Sequence, residues 1–103
     1  MGKSSSTSAH LTPQAMLPAT FKAWESFMYD QGRSPNTVKA FLSDVQLLNL
    51  YLPPDRQIGA ITTAELNRFF HWMEKERGVP CSPKTLARRI TSVKSIFRWL
   101  HQF

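Results

Sequence analysis

With 103 residues, 42% of them hydrophobic, the chain has material for one compact domain and too little for two. Thirteen Lys and Arg against seven Asp and Glu leave a formal net charge of +6, which suits a polyanionic partner such as nucleic acid or an acidic membrane surface. The single cysteine, Cys81, excludes an intramolecular disulfide and a cysteine-rich zinc site, and no apolar run reaches the roughly 18 residues that would cross a bilayer, so the expected location is the cytoplasm.

Residues 1–17, with three consecutive serines and little apolar content before Leu17, read as a flexible tail, and residues 18–103 as the folded domain. A first helix is predicted from about Pro18 to Asp30, where Phe21, Trp24, Phe27 and Met28 recur at helical spacing before Gly32. Ser34-Pro35 combines a cap residue with proline at the first helical position, and Val38, Phe41, Leu42, Val45, Leu48 and Leu52 form an apolar stripe that carries a second helix to about Leu52.

Pro53-Pro54-Asp55 stops that helix, and a loop continues to Ile61. Thr62 with Glu65 three residues on is a capping-box signature, followed by Leu66, Phe69, Phe70 and Met73; the third helix is predicted over about Thr63 to Arg77, with Gly78 as its terminator. Ser82-Pro83 repeats the start signal of the second helix and opens a fourth, to about Gln102, with Leu86, Ile90, Val93, Ile96, Phe97 and Leu100 at three- and four-residue steps. No convincing two-residue alternation occurs, so the fold class is all-α.

The two proline-led helices match beyond their caps. Ser34-Pro35-Asn36-Thr37-Val38 aligns with Ser82-Pro83-Lys84-Thr85-Leu86, and Val45 with Val93, all at an offset of 48 residues. Their charges differ. Residues 82–103 carry Lys84, Arg88, Arg89, Lys94 and Arg98 with no acid, and supply five of the six net charges.

On a wheel of 100° per residue with Leu86 at zero, the apolar stripe of the fourth helix spans roughly 280° to 40°, and Lys84, Arg88, Thr91 and Ser95 lie opposite, with Arg89 on the flank. A basic, hydroxylic outer face at a helix N-terminus suits phosphates. The third helix mixes acids and bases, as an ordinary solvated helix does. The second helix exposes Asn36, Thr37, Lys39 and Ala40, with Arg33 before its cap: a small polar surface able to approach DNA bases, unless Asn36 and Thr37 serve only the cap.

Catalytic and cofactor chemistry is not expected. His10, His71 and His101 have no His or Cys at helical spacing to make a metal pair, Cys81 has no base near it in sequence, and the glycines form no phosphate loop. Trp24, Trp72, Tyr29 and Tyr51 read as structural. Trp99 projects near 220° on the wheel, outside the stripe, and so suggests a partner surface; a helical protein–protein interaction module is the alternative to a DNA-binding one.

The order of these signals resembles the N-terminal core-binding domain of the tyrosine recombinases, the phage-integrase family, also called the SAM-like integrase domain. The resemblance covers about residues 18–103. It rests on Phe21-x-x-Trp24-x-x-Phe27, on Ser34-Pro35-Asn36-Thr37-Val38-x-x-Phe41-x-x-Asp44-Val45, on Ile58-x-x-Ile61-Thr62, and on the run from Ser82-Pro83-Lys84-Thr85-Leu86-Ala87-Arg88-Arg89-Ile90 through Val93 to Trp99-Leu100.

The resemblance implies a four-helix orthogonal bundle that forms half of a clamp on double-stranded DNA. A separate C-terminal catalytic domain of the parent chain would cleave the strands. By motif position the DNA contacts would come from Thr37, Lys39 and Ala40 and from Lys84, Thr85, Arg88 and Arg89. The family's His-x-x-Arg motif does not occur in this sequence, so no catalytic residue is assigned. The chain itself is expected to be monomeric, and its parent to assemble on DNA during recombination and integration.

Overall fold

The computed structural model describes residues 12–78 and 81–102. Four helices carry the fold: α1 (Phe21–Asp30), α2 (Pro35–Tyr51), α3 (Thr63–His71) and α4 (Pro83–Leu100). No strand occurs among the described residues. The all-α class and the four predicted helices are thus observed.

Local chemistry sets the boundaries. A 3₁₀ turn, Leu17–Thr20, with Pro18 in it, leads directly into α1. That helix ends where Gly32 adopts φ +83°, a conformation that costs little only without a Cβ. Thr62 caps α3 by accepting the Glu65 N–H (3.1 Å), but the reciprocal half of the expected capping box is replaced: the Glu65 carboxylate, itself nearly buried, pairs with Arg56 of the preceding loop.

The third predicted helix divides. After His71 the backbone widens into a π-helical turn, Trp72–Glu76, closed by the Arg77 N–H donating to the Trp72 carbonyl (2.8 Å). Trp72 there meets Tyr51 (ring centroids 5.2 Å apart) and Phe69 (6.1 Å), and His71 meets Glu76 at 3.3 Å. Such a widened turn shifts every later side chain around the axis.

The core runs through the middle of the bundle: Trp24 and Met28 of α1, Val38, Phe41, Val45 and Leu48 of α2, Phe69 of α3, Met73 of the π turn, and Val93 and Ile96 of α4. Trp24 stacks on Phe41 at 6.4 Å. The most extensive pairing of helices is α2 with α4.

Three side-chain or chain readings change. Trp99 is buried, 4% exposed, with its ring 5.8 Å from that of Phe27, so the outward position given by the wheel is incorrect. Tyr29 goes the other way: 46% exposed, it is not a core residue. The end of the expected tail is docked: the Pro13 and Ala15 carbonyls accept the N–H groups of Gly59 (2.8 Å) and Ile58 (2.9 Å), and Leu17 is buried. The rest of that tail, including His10, lies outside the described residues.

Candidate nucleic-acid interface

The starts of α2 and α4 are built alike to within a tenth of an ångström. Ser34 Oγ accepts the Thr37 N–H at 3.2 Å and donates to Thr37 Oγ1 at 3.0 Å; Ser82 Oγ accepts the Thr85 N–H at 3.1 Å and donates to Thr85 Oγ1 at 3.1 Å. Both threonine hydroxyls are therefore engaged with their caps, and both residues are half-buried. Proline at the first position brings no N–H and the cap uses that of the third residue. The second residue's amide, Asn36 or Lys84, is the one that neither the cap nor the helical ladder takes.

The remaining predicted residues of the α2 start separate by environment. Asn36 and Lys39 are exposed and line a groove of about 410 Å³ with Tyr29 and Glu25, and Ala40 is half-buried. Arg33 lies with its guanidinium 5.3 Å from the centre of the Phe41 ring, and its Nε is buried without a hydrogen-bond partner. The cation is held against the bundle by the ring face.

On α4 the five cations do not form one class. Lys84, Lys94 and Arg98 are exposed and make no ion pair among the described residues. Arg88 and Arg89 instead converge on Asp44 of α2, a carboxylate only 1% exposed. Arg88 Nε donates to Oδ2 (3.0 Å) and Nη2 to Oδ1 (2.6 Å), while Arg89 Nε sits 3.4 Å from Oδ1. The Arg89 Nη1 reaches the sulfurs of Met73 (3.8 Å) and Cys81 (3.7 Å).

Ser92 completes the cluster. Its Oγ is 2.8 Å from Asp44 Oδ2 and 3.0 Å from the Arg88 carbonyl, and its one proton goes to the charged acceptor. The side-chain hydrogen bond from Arg88 to Asp44 holds the guanidinium pKa above the ordinary arginine range; it outweighs the opposing effect of burial, and the charges of Asp44 and Cys81 add smaller upward pushes. Asp44 and Ser92 are 48 residues apart, the offset that relates the two caps. The matched helices thus touch through equivalent positions.

Asp44 was not among the residues singled out for the site, nor was Ser92. One signal was available: a lone acid in an otherwise apolar stripe, Phe41-x-x-Asp44-Val45, facing a helix with no acid of its own. Their burial also rotates α4. Its buried arc, Ser92, Val93, Ile96, Trp99 and Leu100, centres near 280° on the same wheel, about 60° from the centre of the apolar stripe, and that rotation carries Trp99 inward.

Among the described residues no group of His, Cys, Asp and Glu could hold a metal ion, and no helix is long and apolar enough to cross a membrane. The profile of the phage integrase N-terminal SAM-like domain matches residues 21–102. The chain is also similar to tyrosine recombinase XerD of Listeria innocua serovar 6a, with 32% identity over 71 residues, which are 69% of this chain and 24% of that protein. It therefore spans about a quarter of that relative's length. No solved structure matches the chain. The capped helix pair, the all-α bundle and the profile match over nearly its whole folded part agree: the chain belongs to the phage integrase family, as an N-terminal SAM-like domain, which is not that family's catalytic domain.

Proposed function

We propose that the domain binds duplex DNA with the starts of α2 and α4, and so positions a catalytic domain of a site-specific tyrosine recombinase for DNA recombination and integration. The observation that carries this reading is the matched pair of helix starts. Each has one unengaged backbone amide, at Asn36 and at Lys84, and each has an exposed cation within the first turns, Lys39 and Lys84. A helix N-terminus attracts phosphate through its amides and dipole, and a neighbouring lysine adds a full charge.

The family membership and the resemblance to XerD support strand breaking and rejoining as the parent's reaction, carried by residues outside this chain. The domain contributes grip and register, needs no cofactor, and acts in the cytoplasm as part of a parent that assembles on its DNA target. The protein-interaction alternative rested on an outward Trp99 and loses its anchor with that side chain buried.

Titrating a fluorescent duplex with the domain at several salt concentrations tests the reading. Neutralising about five to eight phosphates gives a log–log slope of roughly −5 to −7, and Lys84→Ala removes about one unit of it. Binding that ignores salt, or backbone NMR shifts that cluster on α3, would refute the proposed face.

A further inference from the structure

We infer that Asp44 is a positioning residue for DNA recognition: it fixes the Arg88 guanidinium so that its outer end, Nη1 together with the second N–H of Nη2, forms a rigid two-donor fork for adjacent acceptors on the duplex. The inference rests on the DNA-binding reading given above.

An arginine has two forks. Asp44 takes the lateral one, Nε and Nη2, with both carboxylate oxygens at 3.0 and 2.6 Å. The terminal one, with a hydrogen from each Nη, remains for a ligand, and the Arg88 side chain is 42% exposed. Asp44 cannot itself swing outward. It is buried, and the Ser92 hydroxyl holds the same oxygen that Arg88 Nε uses.

The arrangement has a chemical consequence. A free arginine loses rotamer freedom when it binds, whereas Arg88 is ordered in advance by contacts inside the bundle. Its fork matches either two oxygens of one phosphate or the O6 and N7 edge of guanine, and both are adjacent acceptors on DNA. The charge of Asp44 is shared with Arg89 at 3.4 Å, so the three-residue group keeps one net positive charge toward the outside.

The test is a double-mutant cycle of Asp44→Asn and Arg88→Ala, read on a duplex enriched from a random pool by the wild-type domain and on an unrelated duplex. Asp44→Asn weakens binding about tenfold when Arg88 is present and has no further effect in the Arg88→Ala background. Arg88→Lys, which keeps the charge but has no fork, fails to restore affinity. A phosphate contact shows as a salt slope lower by about 0.9 in Arg88→Ala. A guanine contact shows as an unchanged slope with reduced preference for the enriched duplex.

Should Asp44→Asn not fold, the wild-type domain decides alone. The ¹⁵Nε signal of Arg88 stays in its hydrogen-bonded position on adding the enriched duplex while its Nη signals shift. Release of Nε from Asp44 on binding, unmoved Nη signals, or an Asp44→Asn loss that persists without Arg88 each overturns the inference. If instead the wild-type domain binds no duplex, or Lys84→Ala leaves binding unchanged, the DNA-binding reading itself fails.

Discussion

The starts of α2 and α4 share one geometry and divide the work of charge between them. Their caps superpose in hydrogen-bond pattern, yet α2 turns its one acid, Asp44, inward and its one base, Lys39, outward. By charge in the sequence α2 is neutral and α4 carries +5. In the fold the Asp44 charge is delivered to Arg88 and Arg89, so the outer surface of α2 is more positive and that of α4 less positive than the sequence alone suggests. Pairing across a helix interface redistributes charge that a segment-by-segment count assigns wrongly.

The largest expected effect contrasts Arg88 with Lys39. Arg88→Met leaves the buried Asp44 carboxylate with Ser92 and a more distant Arg89. Unfolding free energy measured in urea should fall by about 2–3 kcal/mol, below the full cost of breaking a buried pair because Arg88 is partly solvated. Lys39→Met, exposed and unpaired among the described residues, should stay within about 0.5 kcal/mol. Equal effects would mean that the Asp44 cluster contributes nothing beyond solvated charge.

A smaller effect tests the likeness of the starts. Ser34→Ala and Ser82→Ala each strand one threonine N–H and should each cost about 1 kcal/mol in thermal or urea unfolding. The two values should agree to within a few tenths of a kcal/mol. A clear difference would break the equivalence of the two caps.

The smallest expected effect is none. A group whose pKa is raised on folding gives stability that is complete below its unfolded value and lost as pH climbs through the folded one. For Arg88 both lie in the strongly alkaline range. The difference in unfolding free energy between wild type and Arg88→Met should therefore stay flat from about pH 7 to about pH 9. A slope in that difference would identify another titrating group in the cluster.

Much of the fold was legible because each start carried its own chemistry: Ser-Pro at two helices and Thr with Glu at a third are local signals. What the wheel missed was a polar contact, and with it the inward turn of Trp99. Ser92 occupies an inward position of α4 because Asp44 waits there, and a stripe counted from apolar residues alone leaves it outside, while Arg89, at the stripe's edge, turns inward to the same carboxylate. The π turn was hidden for a different reason: its hydrogen-bond shift accompanies the packing of Trp72 on Tyr51, a contact between distant segments. Docking of residues 13–15 uses backbone groups, which no side-chain pattern reports.

Of the residues proposed for the site, Asn36, Lys39 and Lys84 are exposed, whereas Arg88 and Arg89 have a partner that their own helix could not reveal. A periodicity argument treats each helix alone, and this cluster belongs to two.

The docked segment before α1 also sets the practical limits of the domain. Chain cut at residue 18 would remove the carbonyls that receive the Ile58 and Gly59 amides and would take away Leu17, opening the loop between α2 and α3 on the side facing Phe97 and Leu100. Gly59 approaches so closely that an added Cβ would meet that of Pro13 at 2.9 Å, so the segment has room only for glycine opposite it. Minimal expression boundaries, fusion tags and labels belong upstream of residue 12.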